Sequence, residues 1–171
     1  MRYSKILVAL DRSSQADVVF EQALEIAKKE EASLMLLHCL PIEAQVGRLH
    51  TDLFGTALIN CSGEIQAQWE AEKQETRDWL NRYYQKAIAQ GVRTESAIKL
   101  ADASFAIREL AQSWGADLVV LGRRGYRGLA EVVLGSVSNY VVHYVSCSVL
   151  VVQGISPSVD ESLETATQAQ N

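Results

Sequence analysis

Four glycines, two serines and a cluster of arginines carry the first chemical signal in this chain. They lie in the stretch Gly122-Arg123-Arg124-Gly125-Tyr-Arg127-Gly128-Leu-Ala-Glu-Val-Val-Leu-Gly135-Ser136-Val137-Ser138. An apolar run, Ala116 to Leu121, precedes it, and Val137, Val141 and Val145 recur every four residues after it. The order reads as a buried parallel strand, a glycine-rich basic loop and a helix. Such a junction suits phosphate. Glycines let the main chain come close to an anion, and the first N–H groups of a helix have no partner within the helix. No Lys precedes Ser136, so this is not a GxxxxGK[ST] loop, and the spacing does not give GxGxxG. Taken alone, the stretch fits a solvated, Gly-rich surface connection equally well.

The elements that must position this loop come from hydrophobic patterning. Lys5 to Leu10 is a nearly continuous apolar run, as in a strand covered on both faces. It ends at Asp11-Arg12-Ser13-Ser14, where Ser14 with Asp17 three residues on predicts a helix N-terminal cap. A helix to about Glu31 follows, with Phe20, Leu24 and Ala27 on one face. Ser33 to Leu40 is the second buried strand, closed by Pro41. The span 42–62 carries Gly47 and Gly55 among scattered apolar residues and is long for a connection in a compact domain.

From Glu64 to Gln90 the residue types favour one long helix, stopped at Gly91, with Trp69, Trp79, Tyr83 and Tyr84 as core or interface contacts. Arg93 to Leu100 alternates as a weaker strand. Ile107, Leu110, Ala111 and Trp114 place a helix over Ala103–Trp114, ended by Gly115. After the loop and the Ser136 helix comes a last strand, Ser148 to Val152. The tail from 155 to 171 lacks apolar periodicity and reads as disordered. Strand and helix thus alternate, giving an α/β fold: a five-stranded parallel sheet with helices on both faces, one Rossmann-like domain over residues 1–154. Ligands of such sheets lie beyond the C-terminal strand ends, where strand order reverses. Asp11, Cys39 and Gly122 each end a strand and are expected to converge there.

Composition limits the partners. The 171 residues are 48% hydrophobic and 22% charged, as in a globular domain, and the net charge of −5 disfavours nucleic acid. Against that acidic background Arg123, Arg124 and Arg127 point to a small anion. Three cysteines without metal-ligand spacing are expected to be reduced thiols in a cytoplasmic protein. The apolar part of the N-terminus is too short for a signal peptide, and no run approaches the roughly 20 residues of a membrane span, so no membrane partner is expected.

Gly122-x2-Gly125-x9-Gly135-Ser136, set after Ala116–Leu121 and before a Val-rich last strand, resembles the universal stress protein family in its ATP-binding branch. The resemblance runs from Lys5–Asp11 through Leu36-Leu-His38-Cys39 to Val149–Val152, leaving out 42–62 and the tail. It implies ATP or AMP as ligand, with Mg²⁺ held mainly by the phosphates. It implies that Asp11 meets the ribose and adenosine side, beside main-chain contacts from Ala9 and Leu10, and that the Cys39 N–H and C=O meet the adenine edge. Gly122, Gly125 and Gly135 would cradle phosphates, with Ser136 and Ser138 reaching the β- and γ-phosphates. Arg123 and Arg124 fill the variable positions between glycines, and Ser13, Gly128 and Val137 complete the implied contacts. The family also implies a homodimer through Val149–Val152. Two departures stand out: Ala101-Asp102-Ala103 replaces a common Gly-x-Pro, and Ser148 replaces a Pro at the start of the last strand.

Three functions compete on these residues. A nucleotide-binding stress regulator needs the carboxylate and the loop. A slow ATPase or phosphotransfer protein needs in addition a group to activate water, for which His38 and His143 are candidates by type only. A phosphoacceptor module needs several acids after the first strand and a late Lys, but the chain has only Asp11 there and no Lys after residue 99. The expectation is therefore a regulatory protein that is not an enzyme, with weak ATP hydrolysis at most.

Overall fold

The structure, a computed structural model, describes residues 2–40, 63–123 and 134–153. The expected insert at 42–62, the tail, Arg124, Gly125, Arg127 and Gly128 lie outside the described residues. In chain order the elements are β1 (Lys5–Ala9), α1 (Ala16–Glu30), β2 (Ser33–Leu40), α2 (Gly63–Ala89), β3 (Thr94–Leu100), α3 (Ala103–Trp114), β4 (Leu118–Gly122), α4 (Ser136–Tyr144) and β5 (Ser148–Val152). All strands pair in parallel in the order β3-β2-β1-β4-β5. The expected α/β class is the observed one. β1 leads outward to β2 on one side, while β4 pairs on its other side, so strand order reverses between β1 and β4.

Because successive side chains on a strand point to opposite faces, each central strand feeds two cores. Ile6, Val8, Leu34, Leu36, Leu118 and Val120 pack with Phe20, Leu24 and Leu80 of α1 and α2. Leu7, Met35, Leu37, Val119 and Leu121 pack with Ile107, Ala111 and Val141 of α3 and α4. Burial on both faces explains why β1, β2 and β4 read as continuous apolar runs. Edge strand β3 is less buried and does not show the expected alternation: the consecutive Glu95 and Ser96 are both exposed. Trp79, Tyr83 and Tyr84 pack against the first core as expected.

Helix ends differ from the expected pattern in one respect. The Ser14–Asp17 cap does not form: α1 starts after Gln15, which makes no side-chain cap bond. Asp17 instead accepts from the Tyr83 hydroxyl of α2 at 2.7 Å. A tertiary partner has taken the carboxylate that a local cap would have used. At α3 the departure Asp102 serves as the cap, its Oδ1 accepting from the N–H of Ser104 at 2.9 Å and of Phe105 at 3.3 Å. Gly115 ends α3 with φ 72°, a left-handed conformation that a side chain disfavours.

Candidate functional site

At the C-terminal end of β1 the chain turns sharply into α1, and hydrogen bonds order the turn. Leu10 N–H donates to the Leu37 carbonyl at 2.9 Å, adding one rung beyond the ladder. The Asp11 carboxylate accepts from Ser13 N–H at 3.2 Å and from Ser13 Oγ at 2.5 Å. Ser13 Oγ in turn accepts from Gln15 N–H at 3.3 Å, and the Ser13 carbonyl accepts from Ala16 N–H at 3.2 Å. This is the Asx-type turn that Asp and Ser favour when they leave a strand. It fixes the carboxylate at the sheet edge.

β2 continues past the end of β1. In a parallel strand the N–H and C=O of one residue point to the same side, and alternate residues point to alternate sides. Ser33 and Leu37 bond toward β1, while Leu34 and Leu40 bond toward β3. Cys39 therefore turns its main-chain groups toward β1, beyond the last paired residues Ala9 and Leu37. Those groups face the space that the departing β1 chain leaves. The thiol is a weaker candidate for chemistry, since burial pushes it from 9.0 up to about 11 and keeps it protonated near neutrality.

Across the strand-order reversal, β4 ends at Gly122, and Arg123 N–H donates to the Val152 carbonyl of β5 at 2.9 Å. Packing favours glycine at 122 independently of any ligand. A Cβ there would lie 3.2 Å from Val19 Cγ2 and 3.3 Å from Gln15 Oε1 of the α1 start. On the far side of the loop, α4 begins after Gly135, and among the described residues no side chain caps its first turn. Ser138, 2% exposed, donates its hydroxyl proton to the Gly135 carbonyl at 3.0 Å. That bond directs its proton into the helix start; donating to a phosphate would require the hydroxyl to rotate.

These pieces enclose one cavity of about 230 Å³ at the strand-order reversal. Ala9, Leu10, Asp11, Ser13, Cys39, Gly122, Arg123, Gly135, Ser136, Val137 and Ser138 all line it. The structure thus brings together every expected site residue that it describes. Sequence reading missed Gln15 just before α1, Val19 in α1, and Ala103 and Ile107 from α3. Ile107 had been legible only as a core position, and Gln15 carried no signal because a helix-start glutamine is unremarkable in type. His38 and His143 are absent from the lining. Among the described residues no cluster of three or more His, Cys, Asp or Glu side chains could hold a metal ion, and no helix is long and apolar enough to cross a membrane.

A doubly wound parallel sheet with a cavity at its strand-order reversal, part carboxylate turn and part uncapped helix start, defines a Rossmann-like domain with a candidate small-ligand site. The model of the universal stress protein family matches residues 2–153, and the chain belongs to that family. The universal stress protein Sll1388 of Synechocystis sp. is 46% identical over 153 residues, covering 90% of this chain and 99% of the relative. YxiE of Bacillus subtilis is 31% identical over 154 residues, covering 88% and 99%. The solved structure of UspA from Lactobacillus plantarum matches with a TM-score of 0.69 at 25% identity, covering 89% of this chain and 99% of that one. Two further universal stress protein structures share the fold at 22% identity. One, in complex with cAMP, has a TM-score of 0.60 and covers 90% of this chain and 98% of its own. The other, from Archaeoglobus fulgidus in complex with dAMP, has a TM-score of 0.55 and covers 88% and 98%.

Proposed function

We propose that this protein binds an adenine nucleotide, ATP or AMP, in the cavity at the sheet edge and acts as a stress-response regulator of the family's ATP-binding branch. The observation that carries this reading is the pairing, around one cavity of about 230 Å³, of the Asp11 turn with the uncapped start of α4. A carboxylate accepts from sugar hydroxyls, and N–H groups at a helix start attract phosphate. The apolar side chains of Leu37, Ile107 and Leu121 between them suit the faces of a base. Fold relatives in complex with cAMP and dAMP lend support to an adenine ligand. Mg²⁺, when bound, would be held mainly by the phosphates.

Regulation rather than turnover fits the lining, which among the described residues offers no histidine as a base toward a bound phosphate. Weak ATP hydrolysis is the most we expect. We place the protein in the cytoplasm, as a homodimer paired through the edge strand Val149–Val152, whose Val149 to Val151 are half-buried in the single chain. Mass spectrometry of small molecules released from the purified protein tests the reading, followed by calorimetry with ATP and AMP. An adenine nucleotide in the extract and micromolar-range binding are the expected results. No released nucleotide and no heat with either compound would overturn it.

A further inference from the structure

His38 is the buried histidine that the nucleotide reading leaves unused. It is 6% exposed, sits in β2 on the face toward α2, and its ring meets the Trp79 ring edge-on at 5.0 Å between centroids. Arg12 lies over the other part of this surface, 5.9 Å from the Trp79 ring centre and 3.5 Å from Glu75. The His38 Nδ1 is 2.8 Å from the Leu10 carbonyl oxygen. A carbonyl only accepts, so Nδ1 must carry the proton.

The position of that bond in the ladder gives it meaning. Leu10 N–H already bonds to Leu37. In a continuing parallel ladder the next rung would run from Cys39 N–H to the Leu10 carbonyl. That carbonyl is met by the His38 side chain instead. We propose that His38 is a positioning residue for the nucleotide site: its Nδ1–H replaces the main-chain rung between Cys39 and Leu10. The imidazole thereby does two things from behind the cavity wall. It anchors Leu10, and with it the Asp11–Ser13 turn. It also leaves Cys39 N–H facing the ligand rather than closed onto β1. This inference rests on the nucleotide reading for its ligand, but its geometry can be tested without one.

Two substitutions separate the roles. In His38→Asn the side-chain amide N–H falls where Nδ1–H stands, whereas His38→Leu keeps bulk and removes the donor. Hydrogen exchange of the Cys39 and Ser13 amides in the ligand-free protein is the first measurement. Wild type and His38→Asn are expected to exchange Cys39 readily. In His38→Leu the Cys39 amide becomes at least 10-fold slower as the rung closes, or Ser13 at least 10-fold faster as the turn loosens. The second measurement is AMP affinity by calorimetry, expected to fall about 10-fold in His38→Leu and to recover to within about 3-fold in His38→Asn. Should His38→Leu fail to fold, His38→Met, which also fills the space without an N–H donor, takes its place. Unchanged exchange in His38→Leu, or an Asn variant that behaves like the Leu variant at equal melting temperature, overturns the proposal. If wild type itself binds no nucleotide, the nucleotide reading falls, while the exchange data still decide the role of His38.

Discussion

The two rims of the cavity are built on opposite plans. On the β1–α1 rim the polar groups are tied to one another: His38 to Leu10, Ser13 to Asp11, and Gln15 N–H to Ser13. On the β4–α4 rim little side-chain wiring exists among the described residues, and none of their side chains is seen to cap the helix start. The first rim is organised before any ligand arrives, and so loses little freedom on binding. The second offers attraction rather than shape. The contrast teaches where specificity and where affinity should reside: the nucleoside end is chosen by the wired rim, and the charged end is held by the open one.

Substitutions at the two glycines should break this contrast most strongly. Gly135→Val puts bulk at the entrance of α4 and is expected to abolish ATP binding with little change in melting temperature. Gly122→Val drives side-chain atoms into Val19 and Gln15, so it should lower stability as well. Overpacking of this kind costs about 1–3 kcal/mol, or roughly 2–12 °C in a domain of this size. Thermal melts beside calorimetry decide it. A Gly122→Val protein as stable as wild type would mean that α1 yields easily at that contact.

A middle-sized effect sharpens the division of labour. Asp11→Ala should weaken AMP and ATP alike, by about 10-fold, because both carry the same nucleoside. Ser136→Ala should weaken ATP about 3-fold and leave AMP nearly unchanged. Ser138→Ala is expected to act mainly through stability, since its hydroxyl bonds to Gly135; a lost hydrogen bond of that kind is worth about 1 kcal/mol. Equal losses for AMP and ATP in Ser136→Ala would show that the open rim does not sort phosphates.

The smallest effect concerns pH. Burial, helped by nearby Arg12, lowers the His38 pKa below its ordinary 6.5, against the opposing bond to Leu10. A lowered pKa means that the unfolded chain takes up the proton first. Stability is therefore complete above about pH 6.5 and declines as pH falls below it, toward the folded value. Urea midpoints of wild type should drop between pH 7 and 5.5 more steeply than those of His38→Asn. Identical slopes would show that the ring is not held neutral by the fold.

Residue order alone determined the architecture. The apolar runs at Lys5–Leu10, Ser33–Leu40 and Leu118–Leu121, the four-residue spacing in the helices, and Gly115 as a stop are local signals, and each reappears at its place. The convergence of Asp11, Cys39, Gly122 and Ser136 was also legible, because parallel strands align their C-terminal ends on one edge. What only the tertiary structure decided are contacts between residues far apart in the chain. Asp17 turned from a helix cap to Tyr83 66 residues away, His38 reached back 28 residues to Leu10, and Gln15 came to lie against Gly122. No periodicity encodes such partners, because each depends on which atoms packing happens to leave within about 3 Å of one another.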